Sequence, residues 1–135
     1  DFGCGIGVLS AAVLRSPTVT ELTLVDIDRR AIIAAEKNIA DARAKFMWAD
    51  IRNGDIALSG LDFIVMNPPF HDAGIEDKTL GLAFLTRAAA MLKTGGQCWI
   101  TANRHLPYEA LLAKHFSRTT LITEVDGFKI FHAEK

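Results

Sequence analysis

Cysteine is scarce in this chain, which also lacks a long apolar run and an excess of charge of one sign. Its two cysteines, Cys4 and Cys98, match neither a metal-binding pattern nor a disulfide framework, so we expect no metal site. No stretch approaches the ~20 apolar residues that span a bilayer, which argues against a membrane partner. The formal net charge of −1 provides no overall attraction to nucleic acid. A nucleic-acid partner would therefore be bound by a local patch, by another domain or within an assembled particle, and the cytoplasm is the expected compartment.

The composition is that of a globular protein, with 50% hydrophobic and 23% charged residues in a chain of 135. This length suits one domain, residues 1–135, with a sizeable core. The chain opens on Asp1-Phe2-Gly3-Cys4-Gly5, a glycine-rich loop of the kind that normally follows a strand. We therefore expect a fragment of a longer protein, truncated within its first strand.

Strand-like and helix-like segments alternate along most of the chain. Strands are predicted at Glu21–Asp26, Lys45–Asp50, Leu61–Met66 and Gln97–Ala102. Helices are predicted after the glycine loop, after Asp28 as N-cap, from about Asp77 to Lys93, and from Pro107. Ile32, Ala35 and Ile39 would form the apolar face of the second helix, and Gly95-Gly96 would stop the third. A polar loop is predicted at His71-Asp72-Ala73-Gly74. Asp126-Gly127 joins two last strand-like runs, Thr119–Val125 and Phe128–Ala133, as an antiparallel hairpin. The order predicts an α/β fold with a mostly parallel sheet, helices on both faces and a C-terminal hairpin.

Glycines and acids are spaced as in a nucleoside site. Gly3, Gly5 and Gly7 precede a helix, where glycine allows close approach of a ligand to free backbone N–H groups. Asp26 ends a strand ~20 residues further on, the spacing at which a carboxylate reaches ribose hydroxyls. Asp50 ends the next strand. Because the carboxyl ends of parallel strands share one edge, these groups can converge there, although each acid could also be an ordinary turn residue.

Asn67-Pro68-Pro69-Phe70 follows the apolar strand at Leu61–Met66. Asn67 and Pro68 each precede a proline and are held extended, and neither proline can donate a backbone hydrogen bond. The Asn67 side-chain oxygen and the Pro68 carbonyl could thus accept both hydrogens of a planar NH2 group while Phe70 stacks on the attached base. The simpler interpretation is a proline-rich turn that closes a strand.

With these residues in hand, the sequence resembles the class I S-adenosylmethionine-dependent methyltransferases. Within them it is similar to the methyltransferase small-domain family and to its bacterial ribosomal RNA guanine-N2 methyltransferases. The matching stretches are 1–10, Asn67-Pro68-Pro69-Phe70-His71, 102–108 and Gly127-Phe128-Lys129-Ile130. The resemblance implies a Rossmann-like fold with a seven-stranded sheet. It also implies methyl transfer from S-adenosylmethionine to the N2 amine of a guanine in ribosomal RNA or a ribosomal subunit.

The resemblance also implies roles for individual residues. Asp1, Gly3, Gly5 and Gly7 would surround the methionine end of the cofactor, and Asp26 its ribose. Asp50 would accept from the adenine amino group, with Ile27 and Ile51 sandwiching the ring. Asn67 would adjoin both cofactor and substrate, and the substrate side comprises Asn67, Pro68, Pro69, Phe70 and His71. Arg104, His105 and Lys129 could meet RNA phosphates, and part of substrate selection would lie in an additional N-terminal domain.

Several alternatives remain open at the level of sequence. Ala73 displaces Gly74 by one place relative to the family pattern, so the shape of the loop after His71 is not fixed by the resemblance. The same Asn-Pro-Pro signature serves enzymes that methylate a protein glutamine amide or adenine N6, usually with Tyr at the position of Phe70. A non-catalytic remnant of the fold is a further alternative. A nicotinamide-dependent oxidoreductase conflicts with the terminal hairpin and with Asn67.

Overall fold

The structure of the protein is a computed structural model. It describes residues 1–54, 56–69, 71–72, 75–76 and 78–135, and for residues 71, 72, 75, 76 and 78 only the backbone. The chain forms two compact units, Asp1–Ile56 and Ala57–Lys135, each of which is described by itself. The interpretation of residues 1–135 as one catalytic domain stays a prediction.

The first unit is a small α/β layer. Its helices are α1 (Val8–Val13) and α2 (Arg29–Asn38), and its strands are β1 (Leu22–Asp26) and β2 (Ala44–Trp48). The two strands pair in parallel, and Phe2 forms a single parallel bridge with Val25, where a truncated strand was predicted. Asp28 caps α2 as predicted, because its side chain accepts the Arg30 N–H. Ile32 and Ala35 are buried on α2, so its apolar face is the one expected from helical spacing.

Arg43 ties the segment between α1 and β1 to the rest of this unit. Its guanidinium donates to the carbonyl oxygens of Leu14, Ser16 and Val19 at 2.5, 3.0 and 2.8 Å. The same guanidinium forms an ion pair with Asp41 at 2.7 Å. The hydrogen bonds that Arg43 donates to Asp41 lower the pKa of the Asp41 carboxyl to about 2. The planar fork of arginine suits this task because it presents several N–H donors in a fixed geometry.

The second unit is built on a four-stranded mixed sheet. Its strands are β3 (Leu61–Met66), β6 (Leu92–Asn103), β7 (Arg118–Val125) and β8 (Phe128–Glu134), in the order β3-β6-β8-β7. The first pair is parallel and the other two pairs are antiparallel. A separate two-stranded pair joins β4 (His71–Asp72) and β5 (Ile75–Glu76), in a segment where a polar loop was predicted.

The turn between β7 and β8 confirms the hairpin prediction. Asp126 and Gly127 both have positive φ, 51° and 81°, as a two-residue turn of the I′ type requires. The register shifts between Leu121 and Thr123, so β7 carries a bulge at the edge of the sheet.

Two helices accompany this sheet, α3 (Lys78–Met91) and α4 (Tyr108–His115). Gly81 of α3 allows a close approach to α4, because a Cβ there would lie 2.2 Å from the Tyr108 hydroxyl oxygen. The chain continues directly from Met91 into β6, so α3 ends before the Gly95-Gly96 pair that was expected to stop it. Among the residues that the structure describes, no helix is both long and apolar enough to cross a membrane.

Candidate functional site

The glycine loop is fixed to the end of β1 by its own backbone. Gly3 N–H and Cys4 N–H both donate to the Val25 carbonyl, at 2.9 and 3.1 Å, and Gly7 N–H donates back to the Cys4 carbonyl. Gly3, Gly5 and Gly7 have φ of 69°, 54° and 89°. These left-handed conformations explain why glycine is needed at all three positions. A Cβ at Gly5 would meet no heavy atom within 4 Å, so this residue borders open space.

Asp1 anchors the loop to the following helix from inside the unit. Its side chain is only 5% exposed, and one carboxylate oxygen accepts a 2.7 Å hydrogen bond from the fully buried Ser10 hydroxyl. Sequence reasoning missed Ser10. The available signal was a hydroxyl in the first turn of a helix otherwise composed of apolar residues.

Asp26 links the loop to the start of α2. Its two oxygens accept the Gly5 N–H and the Asp28 N–H, each at 2.8 Å. A carboxylate has about four acceptor positions, so Asp26 retains capacity for ribose hydroxyls. The predicted ribose ligand and the predicted glycine loop are therefore in direct contact.

Ile27 and Ile51, the predicted walls for adenine, differ in exposure. Ile27 is 57% exposed, whereas Ile51 is buried. The indole N–H of Trp48 donates to the Ile27 carbonyl at 2.9 Å. Trp48 was not among the predicted site residues and was identified only as part of the predicted strand Lys45–Asp50.

Asp50 is already engaged by a neighbour that the sequence reasoning did not consider. Arg52 donates from its backbone N–H and Nε to Oδ1, and from Nε and Nη2 to Oδ2, at 2.7–3.0 Å. These hydrogen bonds lower the pKa of the Asp50 carboxyl below its usual range. An adenine amino group that reached Asp50 would therefore share it with Arg52.

In the second unit, Asn67 stands at the carboxyl end of β3. The last three residues of this strand are buried, and Asn67 is exposed, followed by a buried Pro68 and a half-buried Pro69. The Asn67 amide is thus presented to solvent from a rigid base. Phe70 lies outside the described residues, and His71 is described only as the first residue of β4.

The basic residues that were expected to meet phosphates are partly neutralised within the unit. Arg104 forms an ion pair with Glu124, and Lys129 pairs with Glu109 at 2.6 Å. His105 is exposed. No group of three or more metal-ligating side chains occurs in the portion of the chain that the structure describes.

Comparison with known proteins gives one consistent family. The model of the methyltransferase small domain matches residues 1–132. Ribosomal RNA small subunit methyltransferase C of Shewanella loihica is 39% identical over 139 aligned residues, which cover 100% of this chain and 40% of the relative. The protein of the same name from Pseudomonas paraeruginosa is 36% identical, with coverage of 100% and 41%. The chain thus spans about two fifths of the length of these relatives.

Solved structures agree with this assignment. The T. thermophilus 16S rRNA N2 methyltransferase in complex with AdoMet and guanosine is 31% identical, with a TM-score of 0.80 and coverage of 98% of this chain and 36% of that one. An O-methyltransferase family protein from Burkholderia thailandensis is 15% identical with a TM-score of 0.82, covering 100% and 49%, and supports the fold alone. The resemblance stated from the sequence is confirmed. The chain belongs to the methyltransferase small-domain family and has its Rossmann-like α/β fold with a C-terminal antiparallel hairpin.

Proposed function

We propose that this chain transfers a methyl group from S-adenosylmethionine to the exocyclic N2 amine of a guanine in ribosomal RNA. The proposal rests on one observation: the Asn67 amide is exposed at the carboxyl end of β3 and is followed directly by the buried Pro68. It occurs in a chain 31% identical to a 16S rRNA N2 methyltransferase solved with AdoMet and guanosine. The other acceptors considered, a protein glutamine amide and adenine N6, become outcomes of the test.

The residues of the first unit fit the proposed cofactor. Open space beside Gly5, an acid that touches the glycine loop and an exposed apolar side chain next to that acid together suit a nucleoside. Asp26 would accept from the ribose hydroxyls, Asp50 from the adenine amino group, and Ile27 and Ile51 would flank the ring. Gly3, Gly5, Gly7 and Asp1 would bound the methionine end. When bound, S-adenosylmethionine supplies an electrophilic methyl group on a sulfonium.

The chain's own contribution is to prepare the amine. The lone pair of an exocyclic amine is delocalised into the purine, so the nitrogen is a weak nucleophile. The Asn67 side-chain oxygen and the Pro68 carbonyl would accept its two hydrogens and favour a pyramidal nitrogen. Holding a reactant in the productive orientation can supply several kcal/mol of a barrier. Acceptors directed at the amine also stabilise the positive charge that develops on it.

The remaining roles follow from the motif. The alkylated nitrogen is strongly acidic, and its proton can pass to solvent without a dedicated base. Phe70 would stack on the guanine, and Pro69 and His71 would border it. A guanine in folded RNA must first leave its stack to be reached. The proposed partner is ribosomal RNA or a ribosomal subunit, with a further N-terminal domain contributing to its selection and the cytoplasm as compartment.

Calorimetry with S-adenosylhomocysteine tests the cofactor half of the proposal. We expect saturable binding in the micromolar range, which corresponds to about −8 kcal/mol. Lack of binding would contradict every methyltransferase function for this chain, including those with other acceptors.

The substitution Asn67→Ala tests the substrate half. It should reduce transfer of labelled methyl groups to unmodified small ribosomal subunits by at least about 100-fold, because one of two aligned acceptors is lost. The affinity for S-adenosylhomocysteine should stay within about 3-fold. Asn53→Ala, at an exposed turn of the first unit, is the matched control and should leave both quantities unchanged.

Nucleoside analysis of the labelled product identifies the acceptor. We expect N2-methylguanosine as the labelled nucleoside. Label in N6-methyladenosine or in protein would overturn the choice of substrate while leaving the cofactor assignment intact. Equal losses of cofactor binding and of transfer in Asn67→Ala would contradict the role given to this amide.

A further inference from the structure

Trp48 links the ends of the two parallel strands of the first unit. It is the last residue of β2, lies in register with Asp26 of β1, and is 61% exposed. Its indole N–H nevertheless donates to the Ile27 carbonyl at 2.9 Å. A large apolar side chain at an exposed position is therefore held in a defined orientation by one hydrogen bond to the residue that follows β1.

This hydrogen bond completes the attachment of Ile27. On one side, the Asp28 N–H donates to Asp26 Oδ1 at 2.8 Å. On the other side, the Ile27 carbonyl accepts from Trp48. The backbone around Ile27 is thus restrained, while its side chain points away from the core and stays exposed. A restrained apolar side chain next to an acid is a preformed wall for a planar ring, which lowers the ordering cost of binding.

Arg29 restrains the indole in turn. Its guanidinium carbon lies 5.4 Å from the centroid of the Trp48 ring, within the range of a cation–π contact. Arg30, the next residue, is paired with Asp28, whereas Arg29 makes no salt bridge with any described residue. The contact with Trp48 is consequently the one defined interaction of this guanidinium in the described part of the chain.

We propose that Trp48 is a positioning residue for the purine side of the cofactor site and acts through the backbone of Ile27. The inference rests on the proposed function, since it assumes that a purine lies against Ile27. Trp48 would thus help to position the bound purine without itself needing to touch it. Arg29 would support this role of Trp48 by restraining the indole ring.

The substitution Trp48→Phe removes the N–H donor and keeps an aromatic ring for Arg29. We expect the dissociation constants for S-adenosylhomocysteine and for adenosine to rise by the same factor, about 3- to 10-fold, as for one lost hydrogen bond. The KM for S-adenosylmethionine should rise equally while kcat is unchanged, because the amine-binding residues are untouched. Trp99→Phe is the matched control and should alter none of these quantities.

Fluorescence reports whether a bound purine changes the surroundings of the Trp48 indole. The chain contains two tryptophans, so Trp99→Phe leaves Trp48 as the only indole. Adenosine should change the emission of that variant. Trp48→Phe, in which Trp99 remains, should show no response to adenosine.

The outcomes separate this inference from the proposed function. If the unmodified chain binds neither S-adenosylhomocysteine nor adenosine, the proposed function fails. If it binds both and Trp48→Phe binds them equally well, only the role of Trp48 is overturned. A lower unfolding temperature of Trp48→Phe with unchanged dissociation constants would likewise overturn it, since Trp48 would then contribute to stability alone.

Discussion

The two acids predicted to hold a nucleoside, Asp26 and Asp50, differ in what already binds them: Asp26 accepts two backbone N–H groups, whereas Asp50 accepts the backbone N–H and guanidinium of Arg52. Asp26 is the last residue of β1, as predicted, whereas Asp50 lies two residues beyond the end of β2 at Trp48, so the predicted strand Lys45–Asp50 was too long at its end. The approximate location of both acids still followed from the alternation of strands and helices. The hydrogen bond from the Gly5 N–H to Asp26 and the one from Arg52 to Asp50 could not be predicted from that alternation. A strand end fixes the edge at which a side chain emerges. Hydrogen bonds depend on backbone directions that the spacing of residues does not determine.

The two cysteines are expected to be poorly reactive in the folded chain. Burial, reinforced by the charge of Asp26, raises the pKa of the Cys4 thiol to about 11. Burial raises the pKa of the Cys98 thiol to about 12. The thiolate is the reactive form, so at pH 8 alkylation by iodoacetamide should be slower than for a free cysteine by about 200-fold or more. The rate should rise with pH until the thiol pKa is approached.

Single variants allow each thiol to be measured alone. Cys98→Ser reports on Cys4, and Cys4→Ser reports on Cys98. In guanidinium chloride both thiols should react at the rate of free cysteine, which is the control for reagent and protein. Alkylation of either native thiol at the free rate would show that its burial is not maintained in solution.

At the scale of elements, patterns dominated by local chemistry were predictable. The hairpin at Asp126-Gly127 and the Asp28 cap depend on a few adjacent residues, and both are present. The start of β6 at Leu92 was not predicted, because the Gly95-Gly96 pair suggested a break. Instead, the Gly95 N–H donates to the Lys135 carbonyl, and the Lys135 N–H donates to the Gly96 carbonyl. These contacts, distant in sequence, hold the start of β6 in an extended conformation. Such pairing overrides local propensity.

The glycine loop offers a comparison of two substitutions of the same type. A Cβ at Gly7 would lie 2.6 Å from Ile39 Cδ1, and φ there is +89°. At Gly5, φ is +54° and no heavy atom lies within 4 Å. Gly7→Ala therefore combines backbone strain with overpacking and should lower the free energy of unfolding by about 2–4 kcal/mol. Gly5→Ala carries strain alone, about 1–2 kcal/mol. Urea denaturation measures both.

The variant Ile39→Val tests the cause of the difference, because it removes the Cδ1 atom that the new methyl group would meet. In that background Gly7→Ala should cost about as much as Gly5→Ala, a coupling of roughly 1–2 kcal/mol. Additive effects of the two substitutions would mean that the backbone conformation, not Ile39, limits Gly7.

At the scale of the whole molecule, charge is balanced and much of it is paired internally. The chain carries 15 Lys and Arg against 16 Asp and Glu. In the second unit, cations pair with acids on β3, β7, β8 and α4, through Lys93–Asp62, Arg104–Glu124, Arg118–Glu134 and Lys129–Glu109. The net charge was predictable from composition, but this pairing was not, because partners lie up to 31 residues apart. A chain with this charge distribution should bind RNA phosphates weakly.

That balance predicts how RNA affinity depends on salt. Each phosphate contact contributes about −0.7 to the slope of log K against log salt concentration for single strands, so we expect a slope no steeper than about −2 for an unmodified 16S rRNA transcript.

Glu124→Gln releases Arg104, which is half-exposed, and should steepen the slope by about 0.7 while raising affinity at low salt. Glu21→Gln makes the same change in net charge, but releases Lys45 in the first unit, and should leave the slope unchanged. Because exposed ion pairs contribute at most about 1 kcal/mol, both variants should stay folded. Equal effects of the two substitutions would mean that net charge alone governs binding, and an unchanged slope for Glu124→Gln would exclude Arg104 as a phosphate contact.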